Sequence, residues 1–208
     1  MINRFSQFLV EEESVVYFTF GRMNPPTIGH GKLLDTLAGK ARRAPYRIFL
    51  SQSNDKKKNP LPYKDKVKHV RKMFPKHARS IILNNKIKTP FDALTFLYDQ
   101  GYKKAVMVAG SDRVTQYDVR LNKYNGKKGD HGFYNFEGGI KIISAGERDS
   151  DAEGTAGMSA SKMRAHASSG NFKEFKKGVP AHVPEHHAKE MFHDVRKGMQ
   201  IKEENEPR

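Results

Sequence analysis

Short apolar runs alternate with longer amphipathic stretches along most of the chain. The short runs are nearly continuous in apolar and β-branched residues, which is typical of strands buried on both faces of a parallel sheet. Five runs show this pattern: residues 15–20, 48–50, 81–83, 105–109 and 140–143. Between them, apolar residues recur at helical spacing, as at Leu33, Leu34 and Leu37. We therefore predict an α/β fold, with a doubly wound parallel sheet of about five strands and helices on both faces.

Four segments directly follow predicted strands and are candidates for the functional site: residues 21–30, 51–62, 110–112 and 146–161. In open parallel sheets, ligands bind at the carboxyl ends of the strands. Because those ends share one edge of the sheet, we expect the four segments to lie close together.

The turn from Gly21 to His30 joins the first strand to the first helix and has the chemistry of a phosphate site. Gly21 lets the backbone approach a ligand closely, and Gly29 leaves the start of the helix uncovered. Thr27 and His30 are three residues apart, so they would present a hydroxyl and an imidazole on the same side of the helix start. A histidine that only caps or packs the helix is the alternative interpretation.

The same pattern divides the chain into segments. We predict an N-terminal extension over residues 1–14, a main domain over residues 15–178 with an irregular insertion at 120–139, and a C-terminal helix and tail over residues 179–208. The last helix, within Pro184–Met199, has one apolar side that would pack on its own domain or on a second subunit. An oligomer is therefore possible.

Composition narrows the class of protein. The 208 residues contain no cysteine, which excludes disulfides and thiolate metal sites. No apolar run reaches the roughly 20 residues that a membrane span needs, and Met1–Val10 lacks the pattern of a signal peptide. The histidines near the C-terminus lack metalloprotease spacing, so no protein metal site is predicted. We expect a cytoplasmic protein without membrane contact.

Two separate segments resemble motifs of one superfamily. Thr27-Ile28-Gly29-His30 is similar to the (His/Thr)-x-Gly-His motif of the nucleotidyltransferases, and Gly21–His30 as a whole resembles their nicotinamide-mononucleotide adenylyltransferase and cytidylyltransferase-like branches. Met158–Arg164 resembles their second signature, Ile-Ser-Ser/Thr-Thr/Ser-x-Ile-Arg, with Ala160 at the second hydroxyl position. Gly110-Ser111-Asp112 resembles a nucleotide- or acceptor-binding turn of these enzymes.

The resemblance covers about residues 15–178 and implies a Rossmann-like fold. It implies attack of an acceptor phosphate on the α-phosphate of a nucleoside triphosphate, with release of pyrophosphate. The implied catalytic residues are His30 on the transferring phosphate, Thr27 in the place of the family's first histidine, and Arg164 on the outer phosphates. The implied nucleotide-binding residues are Gly21, Arg22, Met23, Gly29, Gly110, Asp112, Met158, Ser159 and Ser161.

The substrates follow from the resemblance only in outline. AMP transfer from ATP is favoured, because the first turn most resembles the nicotinamide-mononucleotide adenylyltransferases. Residues 154–159 distantly resemble a cytidylyltransferase run, but Gly154 replaces its arginine, which weakens the case for CTP. Mg²⁺ is expected with the triphosphate, bound largely through its oxygens and water. The acceptor would be a small phosphorylated molecule, and one of Lys56–Lys58 would contact the triphosphate.

The net charge of +15 admits a second hypothesis. Such an excess of lysine and arginine, densest at Lys56–Lys58, suits a polyanionic partner, although runs of lysine also serve as solvated surface. The alternative is therefore a basic nucleic-acid-binding or structural assembly protein that retains the nucleotidyltransferase fold. A catalytically silent relative would be expected to lose His30 or Arg164. Both are present, which favours the enzyme.

Overall fold

The computed structural model describes residues 14–146 and 158–201. Residues 1–13 of the predicted N-terminal extension, residues 147–157 of the last candidate segment and residues 202–208 of the tail lie outside the described residues. The regular elements, in chain order, are β1 (Val15–Gly21), α1 (Ile28–Ala41), β2 (Tyr46–Leu50), α2 (Tyr63–Met73), α3 (Pro90–Asp99), β3 (Lys104–Ala109), α4 (Val114–Asn122), β4 (Ile140–Ser144), α5 (Ala160–Ser168), α6 (Phe172–Lys176) and α7 (Glu185–Gly198).

The described strands form one parallel sheet in the order β2-β1-β3-β4, flanked by helices, which confirms the predicted α/β class. The number of strands is corrected from about five to four within the described residues. The run 81–83 adds only a single parallel bridge, from Ile81 to Ile48. It leaves the sheet because a 3₁₀ helix, Pro75–Ser80, runs up to it and Leu83 already points into solvent with 51% of its surface exposed.

The described chain forms two compact units, each built from segments distant in sequence. The first comprises residues 14–21, 32–51 and 80–146, and it contains the whole sheet. The second comprises residues 22–31, 52–79 and 158–201. None of the described helices is long and apolar enough to cross a membrane.

The core of the first unit packs α3 and α4 against the sheet. Val16 and Phe18 of β1 and Met107 of β3 lie in this cluster with no exposed surface. The segment predicted as an irregular insertion contributes two of its largest members, Tyr134 and Phe136. The Tyr134 hydroxyl donates to the carbonyl of Leu121 at 2.7 Å, so this polar atom is satisfied inside the core.

Two asparagines hold the end of α4 to the chain that leads into β4. Asn122 donates to the Ile140 carbonyl at 3.0 Å and accepts from the Ile140 N–H at 2.7 Å. Asn125 pairs with the backbone of Phe136 in the same way, at 3.0 and 2.8 Å. Each side-chain amide therefore satisfies one N–H and one carbonyl of the backbone opposite it.

The second unit is helical. α7 packs on α2, α5 and α6, and its apolar side, formed by Ala188, Met191, Phe192 and Val195, is buried within the chain. Phe175 of α6 meets Phe192 edge to face, with ring centroids 5.2 Å apart. The apolar side of the last helix is thus covered by its own chain.

We expect Asn122→Ala to destabilise the first unit. Loss of two hydrogen bonds to a half-buried backbone should lower the free energy of unfolding by about 1–3 kcal/mol. Urea denaturation followed by circular dichroism measures this loss. The exposed Asn135→Ala is the control, and equal midpoints for the two variants would contradict the bracing role of Asn122.

Candidate active site

The turn between β1 and α1 is held by the side chain of Asn24. Asn24 is 1% exposed, and its amide donates to the Leu61 carbonyl at 3.0 Å and accepts from the Leu61 N–H at 2.9 Å. Met23, just before it, is buried with a φ of +43°, a region that bulky residues seldom occupy. The Asn24–Leu61 pair therefore stabilises a turn whose backbone is strained.

Thr27 and His30 form a small hydrogen-bonded unit at the start of α1. The Thr27 N–H donates to His30 Nδ1 at 2.9 Å, and the Thr27 hydroxyl lies 3.0 Å from the same nitrogen. Because a backbone N–H can only donate, Nδ1 must be the acceptor and the ring proton of neutral His30 resides on Nε2. Both side chains are buried, at 3% and 7% exposure. Capping thus fixes the tautomer as well as the orientation of the ring.

The start of α1 is less open than the sequence suggested. The first helical N–H, that of Ile28, donates to the Gly178 carbonyl at 2.9 Å instead of facing outward. An added Cβ at Gly29 would meet only the Thr27 hydroxyl, at 3.6 Å. Packing within the protein therefore does not require glycine at position 29.

Arg164 joins the second motif to the first. Its guanidinium donates to the Asn24 carbonyl at 2.8 Å and to the Ser161 hydroxyl at 3.0 Å. Ser159 caps α5 by accepting from the Lys162 N–H at 3.1 Å. Arg164 thus links the turn at residues 21–30 to Ser161 of the second motif.

Three positive side chains gather at this point. Burial and then the charge of Arg22 lower the pKa of Lys66 to about 8. Burial and then the charge of Arg22 also lower the pKa of Arg164. The carboxylate of Asp55 opposes this lowering only in part. Lys66 has no exposed surface, whereas Arg22 is exposed. Such mutual repulsion marks a site suited to binding an anion of several charges.

Lys66 was not among the residues predicted from sequence. The prediction favoured a lysine of Lys56–Lys58, but all three are exposed at the tip of a turn. Asp55 holds that turn by accepting from the N–H groups of Lys57 at 3.0 Å and Lys58 at 2.6 Å. The Lys58 N–H, followed by the Asn59 side chain, lowers the pKa of Asp55 to about 2. Lys66 carried one signal, because it shares the helical spacing of the buried residues His69, Val70 and Met73.

Other predicted residues have packing or surface positions. Gly110 and Asp112 belong to the first unit, where Asp112 is exposed and pairs with Arg113 at 3.4 Å. Gly21 ends β1 and accepts from the Ser51 N–H at 2.9 Å. Met158 is buried and lies 2.7 Å from where a Cβ on Gly178 would stand. Their roles in nucleotide binding stay predictions.

Residues 18–137, more than half of the chain, match the family model described as cytidylyltransferase-like. The chain belongs to the cytidylyltransferase-like family. This membership confirms the predicted nucleotidyltransferase superfamily, and it indicates nucleotidyl transfer without naming the base or the acceptor. A search of curated proteins found no match. The region that matches the cytidylyltransferase-like family contains the turn at residues 21–30 and Lys66, and it ends before Arg164.

We predict that neutral His30 is the Nε2–H tautomer, because Nδ1 accepts from the Thr27 N–H. Long-range ¹H–¹⁵N correlation spectra of the imidazole should show an unprotonated Nδ1 and a protonated Nε2. The spectrum of His30→Ala identifies the signals. A proton on Nδ1 would contradict the arrangement at the helix start.

Proposed function

We propose that the chain transfers a nucleoside monophosphate from a nucleoside triphosphate to a small phosphorylated acceptor, with release of pyrophosphate. The observation that carries the proposal is that the charge of Arg22 acts on both Lys66 and Arg164, while Arg164 donates to Asn24 in the turn that leads into the His30 helix. A triphosphate would add negative charge to this cluster, which the Asp55 carboxylate offsets only in part at Arg164. The donor we propose is ATP in preference to CTP, on the likeness of Gly21–His30 to the nicotinamide-mononucleotide adenylyltransferases.

The reaction needs positioning and charge stabilisation more than covalent help. An oxygen of the acceptor phosphate attacks the α-phosphorus. The bond from that phosphorus to the oxygen bridging to the β-phosphate then breaks, and its electron pair leaves with pyrophosphate. The Nε2–H of His30 would donate to a non-bridging oxygen of the α-phosphate, and this hydrogen bond strengthens as negative charge builds there.

The leaving group would be held by the second motif. Arg164 is preoriented by its bonds to Asn24 and Ser161, so little side-chain freedom is lost when phosphate binds. The hydroxyls of Ser159 and Ser161 lie at the start of α5, where the helix dipole favours negative charge. Lys66 would act from beneath the surface as a source of positive potential.

Magnesium suits this site as the partner of the triphosphate. Among the described residues, there is no group of three or more acidic or histidine side chains arranged to hold a metal ion. The Asp55 carboxylate accepts hydrogen bonds from its own loop. The ion would therefore be carried by phosphate oxygens and water, and it would neutralise part of the phosphate charge.

We expect pyrophosphate release when the protein is incubated with magnesium, ATP and a phosphorylated acceptor from a broad panel. His30→Ala should lower kcat/KM by about 10²- to 10³-fold, because it removes a donor to the α-phosphate. A coupled pyrophosphate assay measures this, with CTP, GTP and UTP in parallel. His186→Ala, which changes an exposed histidine of α7, is the matched control.

No release above the His30→Ala background with any triphosphate and acceptor would exclude the proposed reaction. Salt-sensitive binding of RNA or DNA without such release would support the nucleic-acid alternative.

We also expect activity to fall as pH rises through the pKa of Lys66. With that pKa at about 8, kcat/KM should decline above pH 8, and Lys66→Met should abolish this limb and lower kcat/KM by about 10²-fold. The free energy of unfolding should instead rise with pH over the same range. The unfolded chain binds the Lys66 proton up to about pH 10.5, so the free energy of unfolding of the wild type rises between about pH 8 and that value.

Lys66→Met should remove this pH dependence and raise the free energy of unfolding at pH 7 by about 1–3 kcal/mol. Thermal melts between pH 7 and 10 measure it. Lys64→Met, at an exposed position of the same helix, is the control. A Lys66→Met variant that is less stable than wild type and fully active would contradict the electrostatic role of Lys66.

A further inference from the structure

Two carboxylates of α7 face a row of basic side chains on α2. Asp194 Oδ2 lies 2.7 Å from His69 Nε2 and 3.0 Å from Lys68 Nζ. One turn earlier, Glu190 contacts Lys72 at 2.6 Å and Lys68 at 3.4 Å. Partner numbers rise along α7 as they fall along α2, so the two helices run antiparallel.

The histidine in this network is buried. The side chain of His69 is 2% exposed, and burial, only partly opposed by its hydrogen bond to Asp194, lowers its pKa. The neutral ring must donate its Nε2–H, since a carboxylate can only accept. One carboxylate oxygen thus binds two consecutive residues that project from α2 about 100° apart. This arrangement fixes the rotation of α2 about its own axis.

The C-terminal end of α7 reaches the segment that holds the turn. A Cβ added to Gly198 would clash with the carbonyl oxygen of Pro60, so only glycine permits this approach. Pro60 precedes Leu61, the partner of Asn24. α7 therefore supports two parts of the site: the rotation of α2, which carries Lys66, and the loop that clamps Asn24.

We propose that Asp194 is a positioning residue for nucleotidyl transfer, which fixes α2 through Lys68 and His69 and so keeps the Lys66 ammonium beside Arg22. This proposal rests on the proposed function. α7 lies outside the region that matches the family, so the family match does not assign it a role. If Asp194 only stabilised the fold, its loss would lower stability without changing the position of the Lys66 ammonium.

The test compares Asp194→Asn with Glu185→Gln. The first variant keeps the side-chain shape but removes the charge that binds α2. The second removes a carboxylate from the same helix whose partners, Lys176 and Lys189, are not on α2. Asp194→Asn should raise KM for the triphosphate and lower kcat/KM at least tenfold, while Glu185→Gln should leave both unchanged. All assays are run well below the melting temperature of each variant.

A second readout does not depend on activity. The rate at which an amine-specific acylating reagent labels Lys66, followed by peptide mass spectrometry at pH 8, reports whether the buried amine has moved. Asp194→Asn should increase this rate at least fivefold, with the exposed Lys56–Lys58 as internal reference. If Asp194→Asn does not fold, Glu190→Gln weakens the attachment of the same two helices through Lys68 and Lys72 and should shift both readouts in the same direction.

The outcomes separate the two proposals. Altered Lys66 labelling in a protein that releases no pyrophosphate would support the positioning of Lys66 by α7 and overturn the proposed reaction. Normal labelling and unchanged kcat/KM, with only a lower melting temperature, would overturn the positioning role and leave Asp194 as a structural residue.

Discussion

Repulsion among like charges is the constraint on which the second unit depends. Burial, and then the charge of Arg22, lowers the pKa of Lys66 to about 8 and also lowers the pKa of Arg164. A chain selected only for stability would place an apolar side chain at position 66. The unit also holds the charge of Arg164 in place with bonds to two neutral groups, the Asn24 carbonyl and the Ser161 hydroxyl. Strain and repulsion are concentrated where an anion would relieve them.

The parts of the site that the sequence predicted are those encoded by contiguous residues. Thr27 and His30 form their hydrogen bonds within one helical turn, so their arrangement depends little on the rest of the chain. Lys66 was missed because its burial is decided at long range. Its helix is packed against a helix more than 100 residues away, as the contact of Lys68 with Asp194 shows. The local sequence does not reveal this packing between helices. The one local indication that Lys66 is buried is its position on the apolar side of α2.

For the fold as well, the sequence predicted the elements that have a local pattern and missed those that depend on distant contacts. Buried strands leave continuous apolar runs, and four of the five runs became strands. The run 81–83 has the same pattern but makes one bridge, because the 3₁₀ helix before it and the exposed Leu83 limit its pairing. Tyr134 and Phe136 were assigned to an irregular insertion since they follow no period. The loop that carries them is held by hydrogen bonds to Leu121 of α4 and to Asn125 just after it, which a pattern of apolar residues does not reveal.

The discontinuity of the second unit bears on how the protein is made. The described residues of the first unit all precede residue 147, so a chain emerging from the ribosome can complete the sheet while later residues are still being added. The second unit combines residues 22–31 and 52–79 with residues 158–201, and these contacts close long loops that form slowly. Arg164 and α7 are therefore synthesised after every described residue of the first unit. The early segments that carry His30 and Lys66 cannot form their contacts with Arg164 and α7 until translation has passed residue 198.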